Sequence, residues 1–73
     1  MNEIYTEFYS GAELSFIKAM ESARVKFAAA ANYMLNDRGM IIHSWQMNSV
    51  FDPSNGIYQS FIVALYIPKG KTP

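Results

Sequence analysis

The chain has 73 residues and no cysteine, and its six Lys and Arg balance its six Asp and Glu. This length fits one domain with one hydrophobic core, and the missing cysteines exclude disulfides and thiolate metal sites. The neutral charge disfavours nucleic acid and membrane surfaces as partners. No apolar run reaches the roughly 18 residues of a membrane span, and no signal peptide opens the chain, so we expect a cytoplasmic protein.

The first half of the chain predicts a strand followed by a long helix. Residues 4–9 are β-branched and aromatic, as strands are. Ser10 and Glu13 have the spacing of a capping box, which predicts that the helix begins directly after Ser10. Residues 12–36 contain no Pro or Gly and are rich in helix formers. At about 100° per residue, one stripe of this helix is apolar: Phe16, Met20, Ala23, Phe27, Ala30, Ala31 and Met34.

The second half predicts a β-hairpin. Gly39 is placed to close the helix in the left-handed conformation, and residues 40–51 alternate as a strand does. Turn residues at 52–56 then predict a returning strand over 57–67. One face of the second strand is expected to hold Ile41, His43, Trp45, Met47 and Phe51. The sequence thus predicts an α+β domain over residues 1–68, in which a three-stranded antiparallel sheet of β-α-β-β order packs on one long helix. Residues 69–73 are expected to be a flexible tail.

Both faces of the third predicted strand are apolar. One face carries Ile57, Phe61, Val63, Leu65 and Ile67, and the other carries Tyr58, Ile62, Ala64 and Tyr66. A single helix covers only one face, and an uncovered face is ordinarily polar. We predict that Tyr58, Ile62 and Tyr66 are uncovered and form the interface of a homo-oligomer, since so small a chain with 51% hydrophobic residues cannot hide them all. The alternative is a solvated sheet on which the tyrosines are partly exposed.

The residues that catalysis needs are dispersed. The six carboxylates are spread along the chain, and His43, the only histidine, has no predicted nucleophile or orienting carboxylate beside it. A metal site is also unsupported, because one histidine without cysteines falls short of a ligand set. We therefore predict that the chain is not an enzyme, unless an oligomer interface assembles a site around His43.

An aromatic and amide group on the hairpin is the best candidate for a ligand site. Trp45 and His43 on the second strand, with Tyr58 and Gln59 on the third, are expected to converge across the hairpin. Stacking plus a few amide contacts is how flat ligands such as flavins or nucleobases are held. The alternative interpretation places Trp45 in the core, packed under the helix against Phe27 or Met34.

The same residues carry a resemblance to a known family. The strand, helix, strand, strand order, Trp45 in the second strand and the run Tyr-Gln-Ser-Phe-Ile-Val-Ala-Leu at 58–65 resemble dodecins, small flavin-storing proteins that assemble into hollow dodecamers. The resemblance implies that Trp45 stacks on a flavin and that Gln59 binds the polar edge of its ring. The hairpin is also similar to small proteins of bacterial sporulation and of phages.

Two functions remain open on the sequence alone. In the first, a non-catalytic homo-oligomer sequesters a small aromatic or nucleotide-like ligand, such as a flavin, at its subunit interfaces. In the second, a small phage-type or mobile-element accessory protein binds and inhibits a host protein through a strand edge or the tyrosine face.

Overall fold

A computed structural model describes residues 4–70 as one helix and three strands. The elements are β1 (Tyr5–Glu13), α1 (Phe16–Arg38), β2 (Met40–Asp52) and β3 (Ile57–Pro68). The strands form an antiparallel sheet in the order β1-β3-β2, with α1 packed on one face. This confirms the predicted α+β class and β-α-β-β order. Of the predicted tail, residues 71–73 lie outside the described range.

The junction between β1 and α1 differs from the prediction. Ser10 and Glu13 are strand residues, and β1 stays paired with β3 as far as Glu13, which lies opposite Tyr58. The N-cap is Ser15, whose hydroxyl accepts a hydrogen bond from the backbone N–H of Lys18 at 3.5 Å. The predicted capping box at Ser10 is therefore wrong, because pairing with β3 keeps those residues extended.

The end of α1 and the hairpin confirm their predictions. Gly39 is left-handed, with φ 63° and ψ 34°, and its N–H donates to the carbonyl of Met34. Because the left-handed region favours glycine, α1 ends there and β2 begins at the next residue. The turn between β2 and β3 is closed by the N–H of Gly56, which donates to the carbonyl of Asp52 at 2.8 Å.

The helix covers the opposite face of β3 from the one predicted. Ile62, Ala64 and Tyr66 are completely buried, and Tyr58 lies on the same side with its ring against Phe16 of α1. The prediction that Tyr58, Ile62 and Tyr66 face away from the helix is therefore wrong. Strand alternation separates the two sets of side chains, but both sets are apolar, so it does not say which one the helix takes. The set that points away from α1 on β3 is Ile57, Gln59, Phe61, Val63, Leu65 and Ile67. Of these, Phe61 is exposed, Ile67 is buried and the other four are partly buried.

A β-bulge at His43 divides β2. The register shifts between Ile42 and Ser44, so that Ile41 lies opposite Ile67 on the open face while Trp45 lies opposite Ala64 on the helix side. The predicted common face of Ile41 and Trp45 is wrong, because the bulge adds one residue and reverses the alternation. Beyond the bulge the prediction is correct, since Met47 and Phe51 lie on the same side as Trp45.

The helix lies close to β1 because both elements carry small residues where they cross. A Cβ at Gly11 would lie 2.6 Å from the carbonyl oxygen of Ala19 and 2.6 Å from the Cβ of Ser22. Ala19 and Ala23 are completely buried at this crossing. The helix therefore packs mainly on β1 and β3, and β2 is the strand that it covers least.

The core at the other end of the helix contains a pair of tyrosines. Met34, Met40, Ala64 and Tyr66 form a buried cluster, against which Tyr9 packs. The hydroxyl oxygens of Tyr9 and Tyr66 lie 2.8 Å apart and share a hydrogen bond. Burial, followed by this hydrogen bond, raises the pKa of the Tyr9 phenol well above its ordinary value. The Tyr9 phenol is therefore neutral at neutral pH and takes part in the core through this hydrogen bond.

We expect Tyr9→Phe to lower the free energy of unfolding by about 1–3 kcal/mol, because it leaves the buried Tyr66 hydroxyl without its partner. The double variant Tyr9→Phe/Tyr66→Phe should cost less than the two single changes together. A raised folded-state pKa means that the neutral phenol stabilises the fold fully below about pH 10 and that this contribution is lost as the pH rises further. Urea unfolding at several pH values measures both effects, and Tyr33→Phe on the exposed helix surface is the control. Equal alkaline destabilisation of wild type and Tyr9→Phe would contradict the assignment.

Candidate functional site

A groove lies between α1 and the poorly covered side of β2. Its volume is about 420 Å³, within the range of about 300–1,000 Å³ that small-molecule sites occupy. The lining comes from α1 on one side and β2 on the other: Arg24, Phe27, Ala28, Ala31, Ile42, Trp45 and Met47. Ala28 and Ala31 have short side chains, so α1 contributes little height on its side of the groove. The space is therefore bounded mainly by the rings of Phe27 and Trp45 and by Met47.

Two aromatic rings meet in the groove. The centroids of Phe27 and Trp45 are 5.5 Å apart with their planes tilted by 48°. Phe27 is supported on its other side by Tyr9, at 5.5 Å. Trp45 has no such cover, since 51% of its surface is exposed. The predicted contact of Trp45 with Phe27 is confirmed, whereas full burial of Trp45 under the helix is wrong, because α1 lies over β1 and β3.

The charge of the groove comes from a single residue. Arg24 is the only charged side chain in the lining, and it is exposed on α1. A guanidinium at the edge of an aromatic surface favours anions and planar groups, which it contacts by bidentate hydrogen bonding or by stacking. The groove therefore combines an apolar, aromatic floor with one positive rim.

Trp45 and Gln59, the central pair of the predicted ligand site, point to opposite faces of the sheet. Gln59 lies opposite Ala12 and Val50 on the open face, whereas Trp45 lies opposite Ala64 on the helix side. Ala64 is five residues along β3 from Gln59, which is about 16 Å. Their predicted convergence within one chain is therefore wrong, and a ligand that touches both residues needs two subunits.

The other two predicted site residues are also separated from each other. Tyr58 lies near the hairpin turn, where its ring packs against Phe16 at 5.8 Å and Phe51 at 4.7 Å. His43 is exposed at the bulge on the free edge of β2, two residues from Trp45. Of the four predicted residues, only Trp45 lines the groove. Tyr58 and Gln59 are consecutive residues of β3 and point to opposite faces of the sheet.

Metal and membrane features can be assessed over residues 4–70. Within this range no three His, Cys, Asp or Glu side chains come together in a way that could hold a metal ion. In the same range, no helix combines the length and the apolar character that a membrane crossing requires. Besides the groove, the described residues form a concavity of about 330 Å³ on the side of the sheet away from α1, lined by Ser44, Trp45, Gln46, Val63 and Leu65.

In comparisons with known proteins, no family model, no curated protein and no solved structure matches the chain. The resemblance to dodecins accordingly depends on the element order, on Trp45 and on the run 58–65 alone. The element order is present. A flavin contact shared by Trp45 and Gln59 would have to be assembled between subunits.

Arg24, Ala28, Ala31, Ile42 and Met47 line the groove but were not predicted as site residues. The groove is open because α1 lies over β1 and β3 rather than over β2. The sequence does indicate this position of the helix, since Gly11 in β1 and the small residues at 19 and 23 of α1 allow the two elements to approach closely. Because helices approach most closely where side chains are small, these residues favour packing towards β1. The bulge at His43, which places Ile42 in the groove, has no comparable indication in the sequence.

Proposed function

We propose that the chain is a non-catalytic, self-associating binding protein that holds a flat aromatic or nucleotide-like ligand in the groove between α1 and β2. The observation that carries the proposal is the half-exposed Trp45 beside Phe27 in a groove of about 420 Å³. An exposed indole next to a supported ring offers a stacking surface, and stacking on such rings is a main source of affinity for flat ligands. All the lining residues belong to one chain, so the site itself does not require a second subunit.

Arg24 indicates which aromatic ligands fit best. A phosphate or carboxylate attached to the ring system would reach the guanidinium at the rim while the ring lies against Trp45. This favours a nucleotide or flavin mononucleotide over an uncharged base or riboflavin. Because Arg24 is exposed, the preference should be modest and should weaken as salt is added.

The direct test is the emission of Trp45, the only tryptophan in the chain. Titration with flavin mononucleotide, riboflavin and adenine and guanine nucleotides should quench or shift the emission with at least one of them. Arg24→Gln should weaken binding of flavin mononucleotide more than binding of riboflavin, by about 1.5–5-fold at low salt for an exposed charge contact. Calorimetry with the same ligands gives an independent affinity.

A matched pair of alanine substitutions controls for folding. Ala28 lines the groove and Ala29 does not, while both are exposed on α1. Leucine is a good helix former, so Ala28→Leu and Ala29→Leu should both fold. The side chain of Ala28→Leu fills the groove and should lower affinity at least tenfold, whereas Ala29→Leu should bind as wild type does. Equal binding by the two variants, or no response to any ligand of the panel, would overturn the proposal.

Gln59 separates this site from the one that the dodecin resemblance implies. Gln59 lies on the open face, so Gln59→Ala should leave the affinity of the groove unchanged. Loss of flavin binding in Gln59→Ala would instead support a site assembled from Trp45 of one subunit and Gln59 of another.

A second candidate function, inhibition of another protein by strand addition, is favoured by the free outer edges of β1 and β2. Such edges present unpaired N–H and C=O groups that a partner strand can use. Neither edge is free along its whole length, because the bulge at His43 interrupts β2 and Lys26 Nζ donates to the backbone carbonyl of Ser10 on β1 at 2.6 Å. A native mass spectrum of protein taken directly from cells would show this function as a complex with a different chain and no bound small molecule.

A further inference from the structure

The face of the sheet that α1 leaves uncovered is apolar along its centre. Ile57, Phe61, Val63, Leu65 and Ile67 of the central strand β3 all point to this face, which we call the open face. On the outer strands, Phe8 lies opposite Val63, Val50 lies opposite Gln59 and Ile41 lies opposite Ile67. Phe8 is 74% exposed, although a soluble monomer seldom leaves a phenylalanine so uncovered on a continuous apolar surface.

The open face is also almost free of charge. Its other strand residues in the described range are short or amide side chains: Thr6, Ser10, Ala12, Ser44, Gln46, Asn48 and Gln59. The one acid, Asp52, lies at the turn, where its two carboxylate oxygens accept hydrogen bonds from Ser54 and Asn55 at 3.0 and 2.9 Å. The glutamates of β1, Glu7 and Glu13, are on the helix side. An apolar centre, an uncharged polar rim and few charges are the composition of a protein interface rather than of a solvated sheet.

The size of the open face matches what a dimer needs. Three strands about 4.8 Å apart and about 30 Å long, extended by the longer β2–β3 hairpin, make a plane of roughly 500 Å². Two such planes together bury about 1,000 Å², a figure that leaves out the additional surface of the protruding side chains. About 1,000 Å² is the least that a specific interface requires. The elongated molecule, 45 × 19 × 13 Å, presents this plane along its longest axis.

We propose that a second copy of this chain covers the open face, so that two sheets pack face to face with a helix on each outer side. Sheets packed in this way lie about 10 Å apart with their strands within about 30° of each other. A two-fold axis near Val63 would place Phe8, Phe61 and Leu65 of each copy against the other copy. An uncharged surface is complementary to itself, because no charge is left unpaired when it is buried.

Other classes of partner fit the open face less well. Nucleic acid and anionic membranes are recognised through Lys and Arg, and no described strand residue on this face is basic. The proposal rests on the self-association in the proposed function and gives it a surface, whereas the groove lies on the other side of the sheet. Trp45 also borders a concavity of the open face, together with Ser44, Gln46, Val63 and Leu65. Ala28→Leu, which fills the groove only, therefore separates ligand binding from the dimer.

The test compares the same substitution on two exposed surfaces. Sedimentation and light scattering should show wild type as a dimer, or an even-numbered assembly, at micromolar concentration. Phe61 on the open face is 36% exposed, so the ammonium of Phe61→Lys can reach water in the monomer but not in the dimer. Phe61→Lys should therefore halve the mass and keep the far-ultraviolet spectrum. Val25→Lys, on the outer surface of α1, should remain associated. Wild type that is monomeric at millimolar concentration, or equal dissociation of both variants, would overturn the proposal.

A second measurement avoids any disruptive change. The chain has no cysteine, so Val63→Cys introduces a single thiol at the centre of the open face, and Val25→Cys introduces one on the outside. A short thiol cross-linker should join Val63→Cys into covalent dimers at low protein concentration, and Val25→Cys should react at most slowly. Cross-linking only through position 25 would contradict the proposed face.

The two proposals fail in different ways. Phe61→Lys that is monomeric and still binds ligand through Trp45 supports both. A chain that dimerises through the open face but binds nothing in the panel keeps this inference and removes the ligand. Ligand binding by a chain that never dimerises removes this inference and keeps the groove.

Discussion

Replacing Gly11 with alanine should lower the free energy of unfolding by about 3 kcal/mol, at the upper end of the cost of overpacking. The added Cβ would lie 2.6 Å from the carbonyl oxygen of Ala19 and 2.8 Å from the backbone nitrogen of Ala23. These are backbone atoms, so no side-chain rotation relieves the contact, and the helix has to move. For a domain of this size, whose total stability is about 4–10 kcal/mol, this is a large fraction.

Ala12→Ser is the matched control for Gly11→Ala, because it adds one heavy atom at the next residue on the exposed side of β1. Thermal and urea unfolding of both variants should show a loss of stability only in Gly11→Ala. If the helix moves away from β1, the contact of Phe27 with Trp45 changes as well, and the emission of Trp45 in folded protein should shift. An unfolding midpoint equal to that of wild type would mean that the helix does not approach β1 as closely as these distances indicate.

Local patterns were sufficient to predict the elements of this fold. The unbroken run of helix formers placed α1, Gly39 placed its end, and the turn residues at 52–56 placed the hairpin. The start of α1 was predicted five residues early, because Ser10 and Glu13 satisfy a capping pattern that pairing with β3 overrides. At these residues, the local hydrogen bonds of a helix cap are replaced by the backbone hydrogen bonds between β1 and β3.

The arrangement of the candidate site depended on tertiary contacts that the sequence does not state. Both faces of β3 are apolar, so alternation alone does not select the face under α1, and the close approach of Gly11 to Ala19 and Ala23 is a contact that appears only in the folded chain. The bulge at His43 then exchanged the faces of Ile41 and Ile42. Trp45 was predicted correctly as a neighbour of Phe27, but its exposure follows from the offset of the helix. The pairing of Trp45 with Gln59 failed because the two residues have opposite parity in the β2–β3 ladder.

The stability of Ile62→Ala tests which face of β3 lies under α1. Ile62 is completely buried between the sheet and α1, so removing its side chain should cost about 2–5 kcal/mol through lost burial and the cavity left behind. Ile17→Ala removes the same atoms from a side chain that is 68% exposed on α1, and it should change stability by less than about 0.5 kcal/mol.

The neighbouring residues Phe61 and Ile62 should therefore separate folding from association. Ile62→Ala is expected to unfold at a lower urea concentration, while its folded fraction keeps the dimer dissociation constant of wild type. Phe61→Lys is expected to dissociate the dimer. At high dilution, where association no longer contributes, it should lose less stability than Ile62→Ala, because Phe61 is 36% exposed and Ile62 is completely buried. Urea unfolding at two protein concentrations gives both quantities. Ile62→Ala as stable as wild type, together with a weakened dimer, would mean that Ile62 faces the second copy and that the helix covers the other side of β3.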